Sequence, residues 1–451
     1  MRKWDHTLRD LLNGKKKRHD LAAVRPPLFL LTALVWLLVS ILLGFYFWTA
    51  KELGFPAIPQ LRLIHVHSAL LGGVTQMIFG ALLTFIPPLL MVPYEPKKSR
   101  ALQYLLLNGG VLGMVVGFGT LQYPIVGLSG LAVGLAFLLL LGDTLSMVRK
   151  SLSRPGLHLW FYGLAVLSLF GGIVLGELIA FAGLDPENIN PVRLAHLHLN
   201  LLGFVTLTII GTMQTMFPTV SAARLASDRL AVLAFVLLPT GVAGLVAGFL
   251  LGVPLVQVVA GVIVLLGVSV FGTNILRTWW AAPNKWSLPV LHLLGSTGWL
   301  ALTVMVGILL AWNNRTEPPA YPIGTAHLMS YSHMALIGFI LQTIIGALSH
   351  MLPVILALTR VNNQKERRHY LERLTAQVEQ WKWIQVGALN LGILVMAAWG
   401  PAAGIFGLSA TPTRIAMWAA VALLVLGLGL FGGKVGILLR SKPADQDVAC
   451  T

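Results

Sequence analysis

Three histidines, His67, His198 and His333, each stand 20 residues before a proline, at Pro87, Pro218 and Pro353. The stretches that carry them read almost alike: HVHSALLGGVTQMIFGALLTFIP, HLHLNLLGFVTLTIIGTMQTMFP and YSHMALIGFILQTIIGALSHMLP. Successive copies are 131 and 135 residues apart, and Gly72, Gly203 and Gly338, then Gly80, Gly211 and Gly346, also coincide. An imidazole recurring at one depth in apolar helix is a metal or haem signal, because an ionisable ring in lipid is costly unless something holds it. Haem iron takes an imidazole axially through one ring nitrogen, while the other nitrogen needs an acceptor that fixes the tautomer.

The first two copies carry a second histidine two residues earlier, His65 and His196, where the third has Tyr331. A spacing of two residues is about 200° around a helix, so each pair addresses two different faces. His327 lies one turn before Tyr331 on the same face. Arg62 and Arg193, each five residues before the repeated histidine, could pair with haem propionates at the membrane edge or merely mark that edge. The glycines clear space either for a flat ligand or for a neighbouring helix.

The elements that must position these residues are membrane helices. Hydrophobic residues make up 56% of the 451-residue chain and charged residues 11%, with a mean hydropathy of +0.80, a composition for a lipid bilayer. Apolar spans fall near 27–49, 63–90, 101–122, 125–147, 158–182, 195–218, 229–250, 252–276, 287–312, 327–356, 383–406 and 413–437. The expected fold is therefore an all-α polytopic membrane protein of twelve helices. The repeats occupy the second, sixth and tenth spans, which predicts three pseudo-threefold four-helix blocks, 27–147, 158–276 and 287–437, within one transmembrane domain. The first span reads as a retained helix and not a removed signal peptide.

Charge sets the orientation. Lys15, Lys16, Lys17, Arg18, Arg25, Lys97–Arg100, Arg149–Arg154, Arg224, Arg229, Arg277, Lys285, the Arg360–Lys382 segment, Arg440 and Lys442 all fall on one side. The other side holds Lys51, Arg62, Arg193, Arg315 and Arg414, with Asp185, Glu187 and Glu317. Both basic tails, 1–26 and 438–451, are thus expected to be cytoplasmic, as in a bacterial inner membrane, with the histidine layer near the outer face. The net charge of +16 follows from this topology and implies no nucleic-acid partner. The lone Cys450 excludes disulfides and thiolate clusters. No nucleotide, glycosidase or protease constellation is present, which sets aside kinases and hydrolases. His158, His292 and His350, like the polar-segment His6, His19 and His369, read as structural, the methionines as filling, and Trp160, Trp279, Trp280 and Trp286 as an aromatic belt.

The His-x-His helix with its G…G…P pattern, on twelve spans, resembles the catalytic subunit of the haem-copper oxidase superfamily. The nearest branches are the cbb3-type oxidases and nitric oxide reductases, or the NnrS-type membrane proteins, whose second helix opens much like Ile64-His65-Val66-His67. The resemblance implies one or two haems b, with His67 and His333 as the axial pair and His65 as the substitute. His198, or else His196, would match a copper ligand, and Tyr331 or His327 would stand at the second haem. The seventh span lacks the family's adjacent copper histidines, so copper is in doubt and ordinary reduction of oxygen to water is not expected. Proton pumping is not expected either, because carboxylates are scarce within the spans, Asp143 and Glu177 being exceptions. The implied activity is electron transfer or nitric oxide handling, with a cytochrome or quinol as donor and a partner membrane subunit or a second copy as candidate assembly. The alternatives are a non-catalytic haem sensor or partner subunit, and a transporter built on internal repeats.

Overall fold

The computed structural model describes residues 25–443, apart from Ala57, Pro59, Pro96, Lys98, Ser153, Glu317 and Ser409. The basic run Lys15–Arg18, His6, His19, Lys98, Glu317 and Cys450 lie outside the described residues. Among the described residues twelve helices are long and apolar enough to cross a membrane. They are α1 (Pro26–Ala50), α2 (Leu61–Leu89), α3 (Ser99–Gly119), α4 (Tyr123–Lys150), α5 (Leu157–Phe181), α6 (Glu187–Ser221), α7 (Asp228–Leu250), α8 (Pro254–Ala281), α9 (Leu288–Asn313) and α10 (Thr325–Arg360). After the short α11 (Gln364–Glu379) come α12 (Lys382–Phe406) and α13 (Thr411–Arg440). The all-α, twelve-span expectation holds. Large apolar side chains such as Val35, Leu38, Leu105, Leu128, Leu167 and Val174 are exposed on helix surfaces, as lipid-facing positions must be.

Two boundaries differ from the sequence reading for physical reasons. Helix α6 starts at Glu187 and not near 195, because its first two turns are polar and carry no hydropathy signal. Helix α11 lies in the basic segment between α10 and α12. Its N-cap Asn363 accepts from the Lys365 amide at 2.9 Å, and Tyr370, Leu374 and Val378 pack against Leu288, Leu356 and Leu438. Arg360, at the end of α10, donates to the carbonyls of Leu439 (2.8 Å) and Ser441 (2.5 Å), and Tyr370 also donates to Ser441 O at 2.6 Å. Otherwise unpaired carbonyls at the end of α13 are thereby satisfied.

The chain divides into two compact units, one of residues up to Gly211 with Phe249–Gly252, the other of Thr212–Gly248 with the rest from Val253. Within each unit the repeated glycines are helix crossings. A Cβ on Gly72 would lie 2.6 Å from Cγ of Trp36, one on Gly80 3.0 Å from Cβ of Phe29, and one on Gly211 2.6 Å from Cβ of Phe161. In the second unit Gly338 takes Trp299 and Gly346 takes Leu293 in the same way. Of the two readings open for the glycines, close helix approach is the one these five satisfy. The seated indoles are then tied to a third helix. Trp36 donates to Asn108 Oδ1 at 3.3 Å in the first unit, and Trp299 to Asn390 Oδ1 at 2.8 Å in the second.

The repeat helices share a feature that hydropathy does not show. Immediately after His67, His198 and His333 each helix runs for eight residues as π-helix, Ser68–Thr75, Leu199–Thr206 and Met334–Leu341. The wide turn inserts one residue and offsets the faces before and after it by about 100°. Such segments are rare and concentrate at functional sites. Gly72, Gly203 and Gly338 are the fifth residue of their segments. Replacing Gly338 by Val drives a branched side chain into Trp299 and is expected to lower stability by about 1–3 kcal/mol, read as a fall in detergent-resistant thermal unfolding temperature. Replacing the exposed-side Gly109, which meets nothing within 4 Å, is expected to leave that temperature unchanged.

Candidate functional site

The three repeated histidines share one hydrogen bond. Nδ1 of His67 lies 2.9 Å from Leu63 O, that of His198 2.8 Å from Leu194 O, and that of His333 2.7 Å from Met329 O. A carbonyl only accepts, so Nδ1 carries the proton and the neutral ring presents its lone pair at Nε2. This is the tautomer an axial haem ligand uses, and the backbone acceptor four residues back supplies the fixing partner. His67 also packs on Phe118 (ring centroids 4.8 Å apart) and His198 on Phe249 (4.5 Å). These phenylalanines are themselves 131 residues apart, the interval between the two histidines.

The earlier member of each pair faces the other way, toward the preceding helix. His65 Nδ1 donates to Ser40 O at 2.8 Å, with Ser40 Oγ donating back to His65 O at 3.0 Å. His196 Nδ1 donates to Gly172 O at 2.7 Å, and Asn200 Nδ2 lies 3.5 Å from its Nε2. Glycine on the preceding helix makes room each time. A Cβ on Gly44 would meet the His65 ring at 2.8 Å, one on Gly176 the His196 ring at 3.0 Å, and one on Gly307 the Tyr331 hydroxyl at 2.9 Å. Positions 65, 196 and 331 are therefore equivalent, and the two histidines among them fasten α2 to α1 and α6 to α5.

Within the first unit His67 and His196 come within electrostatic reach of one another. Arg62 and Arg193 are exposed and form no salt bridge among the described residues. In the second unit His327 and Tyr331 line a cleft of about 680 Å³ with Trp312, Arg315, Tyr321 and Met334. His327 differs from the repeat histidines. Its Nδ1 accepts from the Gly324 amide at 3.2 Å, which places the proton on Nε2, 3.5 Å from the Tyr321 hydroxyl. To ligate through Nε2 it would have to give up this helix cap.

The two carboxylates within the spans differ in how they are held. Asp143 accepts from Lys97 (2.7 Å), Ser99 (3.1 Å) and Gln103 (2.9 Å). Among the described residues Glu177 makes no hydrogen bond to a repeat histidine. Its carboxyl fills the notch left on α4 by Gly127 and Gly130, with Oε2 buried and unpartnered. Trp279 meets Trp280 and Trp286, and Trp286 meets Trp383, forming an aromatic cluster at helix ends.

Two cofactor chemistries can be tested on this donor set. No three of His, Cys, Asp and Glu gather closely enough among the described residues to hold one metal ion, so a three-histidine copper site does not fit. A haem does fit, since it needs a single imidazole of defined tautomer on a given face.

The fold and these helices define a class, the twelve-span helical membrane proteins. The chain is similar to a solved structure described as a haem-copper terminal oxidase dimer, with a TM-score of 0.68 and 14% sequence identity, over 97% of this chain and 84% of that one. It is also 26% identical over 196 residues to an uncharacterized protein of Aquifex aeolicus (strain VF5), a match covering 43% of this chain and 48%, about half, of that protein. No known family profile matches. Removing the His65 side chain with His65→Ala is expected to remove the hydrogen bond between α2 and α1 and to cost about 0.5–1.5 kcal/mol of stability, seen in thermal unfolding, whereas His67→Ala, whose bond lies within its own helix, costs less.

Proposed function

We propose that this chain is a membrane-bound b-type haem protein of the haem-copper oxidase fold that transfers electrons or handles nitric oxide. The observation that supports it is the shared register of His67, His198 and His333. Each is tied through Nδ1 to a carbonyl four residues back, and each opens an eight-residue π segment. A structural histidine does not require the same tautomer and the same wide turn at three sites. His67 and His333 are the first residues to test as those that would hold the haem, followed by His198. His65 and His196 orient their helices, and the exposed Arg62 and Arg193 are poised to meet carboxylates at the membrane edge.

A haem so ligated supplies one-electron chemistry. The protein's own residues fix ring orientation and keep the site among apolar helices that exclude bulk water. The basic face is the cytoplasmic one, the histidine layer lies toward the outer side of a bacterial inner membrane, and the sequence repeat supports three four-helix blocks. A cytochrome or a quinol is the matching donor, and the dimer described for the solved relative makes a second copy the first assembly to examine.

Purified protein from haem-replete cells is expected to show a reduced-minus-oxidised b-type spectrum. His67→Ala and His333→Ala are each expected to abolish the low-spin bands, while His65→Ala retains them. Carbon monoxide binding then separates an iron with an open position from one ligated on both faces. A colourless preparation that still unfolds cooperatively would sink this reading and leave the transporter alternative.

A further inference from the structure

The second unit contains a group of polar side chains that the reading above does not use. His292 at the start of α9, Gln385 at the start of α12 and Lys434 near the end of α13 are 0%, 0% and 7% exposed. Gln385 Nε2 lies 3.1 Å from His292 Nε2, which accepts from it, so the imidazole proton sits on Nδ1. His292 Nδ1, Gln385 Oε1 and Lys434 Nζ are all buried without a hydrogen-bond partner. Turning the amide over exchanges donor for acceptor and leaves the same number unpartnered. Lys434 is within electrostatic reach of both His292 and Glu379. Glu379 closes the group at the end of α11, accepting from the Leu288 amide at 2.9 Å and from Lys382 Nζ at 2.9 Å.

Each unpartnered buried polar atom costs about 1–3 kcal/mol, and an ammonium more. Three on neighbouring helices do not persist without something bound between them. Two donors and one acceptor match the two to four bonds of an internal water. The polarity continues inward from the same corner. Asn390, five residues or about 7.5 Å further along α12, accepts from Gln342 Nε2 at 3.3 Å and from Trp299, and Gln342 Oε1 is again buried and unpartnered.

We propose that His292, Gln385 and Lys434 enclose a bound-water site that opens past Glu379 to the face where α9 begins and α13 ends. The proposal does not depend on haem.

X-ray radiolytic labelling, in which hydroxyl radicals form from bound water, tests the unsubstituted protein in lipid nanodiscs. After correction for intrinsic reactivity, His292 is expected to be oxidised at least about fivefold faster than the equally buried Leu293, and Lys434→Met is expected to remove the difference. Equal corrected rates overturn the proposal. The face of entry is read separately in a Cys450→Ser background, with cysteine at Gln385 or at the apolar Leu389 and a small charged methanethiosulfonate applied to sealed vesicles of either orientation. The Gln385→Cys thiol is expected to react about tenfold faster than the Leu389→Cys thiol, because only a hydrated thiol ionises, and only from the face that carries the end of α13. Equal rates, or reaction solely from the opposite face, overturn it.

Discussion

The bond from each repeated imidazole to the carbonyl four residues behind it is the constraint on which the rest of the arrangement depends. It settles the tautomer of His67, His198 and His333 without help from another helix. Their neighbours on either side are then free to serve packing. His65 and His196 take acceptors on α1 and α5, and glycines on those helices admit the rings. The π segments that follow turn the remainder of each helix, so that the face bearing the histidine and the face bearing the second repeated glycine need not coincide.

Much of this was legible in the sequence. The twelve spans follow from hydropathy because lipid admits only helices with satisfied backbones, and the threefold recurrence of histidine, glycine and proline marks the helices that matter. The glycines left two readings open, because a missing Cβ looks the same whether a ligand or a tryptophan occupies the space, and only Trp36 and Trp299 in place decide it. The π segments leave no trace in composition, since the extra residue changes hydrogen bonding and not polarity. The acceptors of His65 and His196 are main-chain carbonyls, one from a glycine, and the type of a residue does not announce its carbonyl. Phe118 and Phe249 could have been found, because they repeat at the same 131-residue interval as the histidines they touch.

Polar groups inside these helices follow two rules. Where the sequence offers a full set of partners the group is bolted down, as Asp143 is by three donors and as Trp299 is by Asn390. Where it offers an incomplete set, buried atoms are left unmet, as at Glu177 on α5 and at His292, Gln385 and Lys434 on α9, α12 and α13. Such bonds contribute only about 0.6–1.7 kcal/mol apiece in a membrane, so helix association here rests chiefly on glycine-mediated contact. The polar pairs choose which contact forms.

The clasp of Arg360 and Tyr370 on the last carbonyls of α13 has a mechanical meaning. It rivets the final helix to the end of α10 at two points and to the loop helix at one, so the polypeptide leaves α13 at a fixed heading. Any load pulling on the segment beyond Pro443 is borne first by these carbonyl anchors before it can reach the transmembrane shaft of α13.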